Sequence, residues 1–539
     1  MKLAELIKAV PVKRFTDLSL KGRGLSPESE EQSNKQDIEI GSIHYRAQDV
    51  KPGGLFVAIP GFSADGHDFI DEAIERGAAA VVAQKPVNKN SIIIEVENTR
   101  KALAALSAQL FGNPSERLLI IGITGTNGKT TTAVLIENIL SKAGYKVGVI
   151  GTLNYRYAGK TFMNPMTTPQ SLDLQRILAE MFEEGITHVV MEVSSHALDL
   201  FRINNCWIDI GVFTNLSQDH LDYHGDMNSY WACKKKLFQE YLRSGPKKDR
   251  TISVINCNDA SGKKLLRINS LAVVTTGHSD NNMIRPGNIK YDLSGIKGEI
   301  LTPGGVFEFK SPLIGKHNLE NILCATGAGI ALKLPLAAIK SGIENVARVP
   351  GRLESIPNYT GRFVYVDYAH TPDALKNVLT SLRSLAAGRI ICVFGCGGDR
   401  DRNKRHQMGE IAGKLCDLAI ITSDNPRTEA PLAIIEQIAG GTKKVSSYVY
   451  TPSDLKTGWH KKGYVIEPDR KKAIGLGIMT SQPGDTVLIA GKGNETYQII
   501  GSQTFPFDDK KEAEGALGEY KALLKSDEQT AATNAMDHC

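Results

Sequence analysis

Short apolar runs alternate with amphipathic stretches along most of the chain, and the manner of alternation changes twice. In the first hundred residues, "PGGLFVAIPG" and "GAAAVVAQ" predict short strands around a helix-like "HDFIDEAIERG", a small α/β unit that ends near Asn113-Pro114. From Leu118 the apolar runs "LLIIGIT", "YKVGVIGT", "HVVMEVSS", "DIGVFTN", "TISVINC" and "LAVVTTG" read as strands, with helical periodicity over 129–143, 170–184 and 227–243. Continuously apolar strands alternating with helices predict a parallel sheet covered on both faces. Residues 285–312 look like antiparallel hairpins and 316–347 like two helices. A third βα series begins at "RFVYVDYA" and continues through "RIICVFGC", "DLAIITS" and "DTVLIAG". Residues 21–37 read as a mobile loop, 441–468 as an irregular insertion, and the polar tail after about Ser526 as frayed. These changes of pattern predict an α/β protein of three domains, 1–115, 116–347 and 348–539.

Bulk properties narrow the class. A chain of 539 residues exceeds what one core supports. Its formal charge of +5 is too small to argue for nucleic acid. No apolar run approaches membrane-spanning length, and "MKLAELIKAV" is broken by Lys8, unlike a signal peptide. The eight cysteines are scattered, and Cys392 and Cys396 alone make a poor zinc signature. A reduced, cytoplasmic protein fits these numbers.

Chemistry enters at "LLIIGITGTNGKTTTAVLIENIL", a strand, a glycine loop and a helix start. Gly125 and Gly128 let the backbone of Thr126 and Asn127 wrap a phosphate, with amides converging at a helix N-terminus. Lys129 reaches toward the β- and γ-phosphates, and Thr130, followed by Thr131, supplies a hydroxyl for Mg²⁺. The spacing departs from the usual loop, since Ile123 stands at the first glycine position. Glu192 ends the strand "HVVME" at the phosphate edge and makes a magnesium site with Thr130. Further on, "DLAIITSDNPRTEAP" ends a strand in Asp424-Asn425-Pro426-Arg427, a turn with Thr428 and Glu429 opening the next helix. Open α/β sheets bind ligands at such strand ends.

The stretches "TGTNGKTTT", "TTPQS", "MEVSSHALDL", "DHLDYHGDM", "GKHNLENILCA", "GRLE", "VDYAHTPDAL", "GCGGDRDRNKR", "DNPRTEAP" and "AGKGNETYQ" together resemble the Mur ligases, over nearly the whole chain. The resemblance is to the member that adds the third residue of the peptidoglycan stem. It implies a UDP-sugar-binding domain, a central P-loop parallel-sheet ATPase domain and a C-terminal, Rossmann-like amino-acid-binding domain. It also implies an ATP-dependent ligase that activates a carboxylate as an acyl phosphate for attack by an amine. The implied partners are UDP-MurNAc-L-Ala-D-Glu and meso-diaminopimelate, with ATP and Mg²⁺, acting in a monomer without nucleic acid or membrane insertion. By the same resemblance His220 is a second magnesium ligand and Lys234 carries a CO₂-derived carbamate, with Lys235 a competing position. Asn321, Arg352 and Asp367 would contact adenine and ribose. Ile43, Tyr45, Phe62, Ser63 and Ala64 would meet the UDP-sugar peptide, and Thr167, Thr168, Ser194 and Arg202 its acceptor end. Arg400, Asp424, Asn425, Pro426, Arg427, Gly491 and Glu495 would hold the incoming amino acid, with Arg427 reading the extra carboxylate of diaminopimelate and Glu495 receiving an ammonium. Tyr45 and Leu200 depart from the usual serine and glutamine. Alternatives are the same ligase using L-lysine, a folylpolyglutamate-synthase-like ligase, a P-loop kinase or NTPase, and a non-enzymatic nucleotide-binding module.

Overall fold

The computed structural model describes residues 1–17, 38–61, 64–446 and 448–536, with side chains to 522 except at 17 and 457. The expected mobile loop at 21–37 and the candidates Phe62 and Ser63 lie outside the described residues. Among the described residues, three large sheets succeed one another along the chain.

The first has five strands in the order Val12–Asp17, Ile92–Val96, Ala80–Ala83, Leu55–Val57 and Ile43–His44, with only Val12–Asp17 antiparallel. The helix Thr99–Leu110 packs on it through Leu103 and Leu106. The second sheet has eight strands, six of them parallel, with Leu119–Thr124 between Ile210–Phe213 and His188–Glu192. Helices Lys129–Lys142 and Lys316–Ala331 bury one face, and helices Ser171–Glu183 and Met227–Gln239 help bury the other. Residues 285–311 form a separate three-stranded antiparallel sheet, as their alternation predicts.

The third sheet runs Glu354–Ser355, Phe363–Asp367, Thr486–Ala490, Ile390–Phe394, Leu418–Ile421, Gly463–Ile466 and Tyr448–Tyr450. Three expectations fail in this part of the chain. The segment 441–468 is not an irregular insertion: Gly463–Ile466 pairs in parallel with Leu418–Ile421 and carries Tyr448–Tyr450 on its outer edge. Strands of three or four residues are too short to show a period in sequence, and burial between neighbours decides them. The helix after "DNPR" begins at Pro431, and Thr428 and Glu429 stay in the turn because their polar groups bond to the neighbouring "GGDRDR" loop. The tail is helical from Asp509 to Met536, not frayed from Ser526.

Candidate active site

The phosphate loop joins strand Leu119–Thr124 to helix Lys129–Lys142. Gly128 is left-handed at φ 84°, and a Cβ there would stand 2.2 Å from Asn321 Oδ1. Only glycine lets the helix Lys316–Ala331 close on the loop at this point. Thr126 N and Asn127 N donate to Asn215, to its carbonyl and to Oδ1, each at 2.9 Å. Lys129 Nζ donates to Gly125 O at 3.0 Å and Thr126 O at 2.9 Å. Burial lowers its pKa, against the opposing pull of Glu192 and Asp219.

Glu192 is buried and gathers hydroxyls: Thr130 Oγ1 at 3.1 Å and Thr152 Oγ1 at 2.9 Å donate to it, with Thr152 N at 3.0 Å. Lys234, also buried, donates from Nζ to Gly125 O at 2.9 Å, so it shares a carbonyl with Lys129. Desolvation first, and then the Lys129 charge, push its pKa well below that of an ordinary lysine. His220 is left-handed and stands with Nε2 3.3 Å from Asp219 Oδ2; burial pushes its pKa down. Among the described residues no three His, Cys, Asp or Glu side chains converge as a metal site. The oxygen donors Thr130 and Glu192 nonetheless suit a hard cation, and Lys234 would suit one only as an anionic carbamate.

A cleft of about 420 Å³ runs from this loop to the C-terminal unit, lined by Thr126–Thr131, Glu192, His220, Asn321, Arg352, Asp367 and His370 among others. Arg352 crosses the boundary to donate to Thr130 Oγ1 at 3.2 Å and stacks 4.4 Å over the Tyr368 ring. Asp367 accepts from Leu353 N at 2.6 Å and Ala369 N at 2.7 Å, and burial raises its pKa. Thr167 Oγ1 lies 3.1 Å from Thr152 Oγ1. Thr168 Oγ1 donates to Glu192 O at 2.8 Å and lies 3.3 Å from Ser194 Oγ, and Arg202 Nη1 donates to Thr168 O at 3.1 Å. On the N-terminal unit Ile43 is buried, Ala64 is exposed, and the Tyr45 phenol donates to Asp173 Oδ2 at 2.9 Å, with its pKa pushed up to about 12 by burial and Asp173. The residue in the usual serine position therefore ties the N-terminal unit to the central one.

The amino-acid candidates gather at the carboxyl edge of the third sheet. Asp367, Ala490, Phe394 and Ile421 end four strands in mutual register, and Arg400, Asp424–Arg427 and Gly491–Glu495 follow from them. Gly491 N donates to Asp367 O at 3.0 Å. Arg427 is half-buried and left-handed at φ 51°; its N donates to Ile499 O at 3.1 Å, and its Nη1 to Gly398 O at 2.8 Å. Burial, then the nearby Glu495 carboxylate, raises the pKa of Tyr497, against the opposing charges of Arg427 and Arg400. Glu495 is already shared, receiving Asn425 Nδ2 at 2.9 Å and Lys492 Nζ at 3.2 Å.

Several residues of the site escaped sequence reasoning. Lys492 is fully buried, donates to Asn425 Oδ1 at 3.0 Å and lowers the pKa of Asp424; its signal lay in "AGKGNE" between two residues that were noticed. Arg470 and Asp509, buried together at 2.6 Å, and Arg405 with Glu429 at 2.7 Å brace the turn from behind, and no local pattern announces them.

Comparison with known proteins agrees in extent with this architecture. Residues 39–110 match the Mur ligase family catalytic domain, 123–329 the Mur ligase middle domain, and 351–493 the Mur ligase glutamate ligase domain. The chain is 47% identical over 484 residues to a UDP-N-acetylmuramoyl-L-alanyl-D-glutamate–2,6-diaminopimelate ligase of Geobacter metallireducens, covering 89% of this chain and 95% of that one. It is 46% identical over 481 residues to the protein of the same name from Geobacter sulfurreducens, covering 89% and 94%. A solved structure of a ligase of this name is similar at TM-score 0.63 and 31% identity, covering 89% of this chain and 95% of the other. The MurF ligase of Thermotoga maritima, solved with ADP, shares the fold at TM-score 0.59 and 21% identity, covering 84% and 95%.

Proposed function

The chain belongs to the Mur ligase family, and from that premise we propose that it joins meso-2,6-diaminopimelate to the D-glutamate γ-carboxylate of UDP-MurNAc-L-Ala-D-Glu, at the expense of ATP, in peptidoglycan precursor synthesis. It acts in this reading as a cytoplasmic monomer; among the described residues no helix is long and apolar enough to cross a membrane. The observation that carries the reading is the continuity of two half-sites. The strand ending at Asp367 opens onto the phosphate-loop cleft, and its sheet neighbours end at Gly491 and at the Asp424–Arg427 turn.

A carboxylate oxygen is a poor leaving group, so amide formation needs prior phosphorylation. The carboxylate attacks the γ-phosphorus of ATP and ADP leaves; the amine then attacks the acyl carbon of the acyl phosphate, inorganic phosphate departs, and the nitrogen gives up a proton. Nothing in that sequence needs a protein nucleophile. Lys129 balances charge at the transferring phosphoryl group, and the backbone amides that open helix Lys129–Lys142 orient it. Thr130 and Glu192 would hold Mg²⁺, which supplies charge neutralisation when bound, with His220 and a carbamate on Lys234 completing its surroundings. Arg352 and Asp367, with Asn321 behind Gly128, position the nucleotide, while Thr167, Thr168, Ser194 and Arg202 position the acceptor carboxylate. Arg427 uses one N–H on Gly398 and offers the rest of its fork to the distal carboxylate of diaminopimelate.

The test is purified protein with ATP, UDP-MurNAc-L-Ala-D-Glu and a panel of amines, read by product mass. Diaminopimelate should be ligated and lysine used poorly, because lysine leaves Arg427 without an anion. Arg427→Ala should raise KM for diaminopimelate about 10- to 100-fold and narrow its preference over lysine. Equal use of lysine by the unmodified protein would overturn the role given to Arg427, and ATP hydrolysis without any ligated product would favour a simple NTPase.

A further inference from the structure

Two guanidinium groups, Arg100 and Arg202, feel each other's charge where the N-terminal unit leans on the central one. Arg100 is in the first turn of helix Thr99–Leu110, which Asn98 caps by accepting from Arg100 N and Lys101 N, both at 3.0 Å. Lys101 Nζ stands 4.8 Å from the centre of the Phe201 ring, so this turn rests on the segment that carries Arg202. Burial first, then the charge of Arg100, lowers the pKa of Arg202, and burial lowers that of Arg100. The groups that pull the other way are the phenols of Tyr45 and Tyr223, not carboxylates. Among the described residues, Nη1 of Arg100 and Nε of Arg202 are buried without a hydrogen-bond partner. Half-buried like charges with buried, orphaned N–H donors are costly unless an anion joins them.

We propose that Arg100 and Arg202 together grip the non-reacting α-carboxylate of the acceptor's terminal D-glutamate, so that Arg100, from the N-terminal unit, is a specificity-determining residue of the ligation reaction. This rests on the acceptor assigned above. Arg202 is tied to Thr168 O, and Thr168 to the backbone of Glu192, whose side chain lines the phosphate cleft. An anion on the arginine pair therefore lies beside the site of phosphoryl transfer. On the acceptor, the α-carboxylate is three carbons from the reacting γ-carboxylate, whereas the diphosphate is separated from it by a sugar, a lactyl group and an alanine. Arg100 Nη2 also donates to Pro60 O, so the same side chain links the acceptor's peptide end to the N-terminal unit.

The experiment compares UDP-MurNAc-L-Ala-D-Glu with its D-isoglutamine counterpart, in which the α-carboxylate is an amide, using the unmodified protein, Arg100→Gln and Arg100→Lys. The unmodified protein should show a KM about 10- to 100-fold higher for the amide. Arg100→Gln should raise KM for the carboxylate acceptor by a similar factor, leave KM for ATP and diaminopimelate unchanged, and bring the two acceptors close together. Arg100→Lys should keep part of the discrimination, and it decides the matter if thermal melting shows Arg100→Gln to be unfolded. Discrimination as strong in the variants as in the unmodified protein would overturn the inference. So would an equal weakening of UDP-MurNAc binding, which lacks the peptide and would place the pair on the diphosphate. Absence of ligation by the unmodified protein would instead overturn the function on which the inference rests.

Discussion

At the scale of the residue, Lys234 shows what burial does to an amine. It is buried beside the phosphate loop and donates to the same carbonyl as Lys129, where two ammonium groups repel. Desolvation favours the neutral amine, whose lone pair can attack CO₂ with loss of a proton, and the carbamate proposed above would exchange repulsion of Lys129 for attraction. Ligation should therefore fall about 100-fold or more in Lys234→Ala, and should fall in CO₂-depleted buffer and recover with bicarbonate in the unmodified protein. A rate indifferent to CO₂ would exclude the carbamate. His317 carries a second consequence of burial: its pKa is pushed down to about 4, and among the described residues its Nδ1 is buried without a partner. The unfolded chain takes up that proton near pH 6.5, the folded protein only near pH 4, so the unfolded state binds more protons between the two. The contribution of His317 to stability is complete above pH 6.5 and is lost as pH falls toward 4. The melting midpoint of His317→Gln should drop less than that of the unmodified protein between pH 7.5 and 5.

At the scale of the element, the amino-acid half-site depends on two loops packed backbone to backbone. A Cβ on Gly398 would stand 1.9 Å from Pro426 O, and Gly398 N already donates to Asn425 O at 2.9 Å. Gly398→Ala should therefore push the Asp424–Arg427 turn outward and raise KM for diaminopimelate about tenfold or more, with KM for ATP little changed. Equal changes in both constants would mean that the two half-sites are not separable in this way. Behind the turn, Arg405 and Glu429 supply the rigidity that Pro426 alone does not: Arg405 is fully buried and its guanidinium holds Glu429 well below the usual carboxylate range, at about 2.

At the scale of the whole molecule, the reaction needs a cleft whose walls come from separate sheets. Asn127 in the phosphate loop donates from Nδ2 to Asp373 Oδ2 at 3.2 Å, at the start of helix Pro372–Leu385 in the C-terminal unit, and Arg352 reaches Thr130 beside it. Asp373→Ala removes one of these bridges without touching a core. KM for ATP should rise about two- to tenfold while the melting midpoint stays close to that of the unmodified protein, measured by steady-state kinetics and thermal scanning. A large loss of stability would show that the bridge holds the fold rather than the closed cleft.

The parallel strands, the phosphate loop and the "DNPR" turn were legible in the chain because each is a local pattern. Continuous apolar runs mark buried strands, glycines before Lys129-Thr130 mark a loop that must bend, and Pro426 must stop a strand. The α/β class and a nucleotide site follow from those alone, while the ligase chemistry came from the order of many short motifs. Tertiary structure decided what proximity decides. Gly463–Ile466 became a strand because an open sheet edge was available. Arg470 with Asp509, and Lys492 with Asp424, were buried because each could find its opposite charge across 39 and 68 residues of chain. Arg100 was brought to Arg202 although they stand on different units. Charges can be buried only where partners converge, and convergence is a property of the folded chain rather than of any stretch of its sequence.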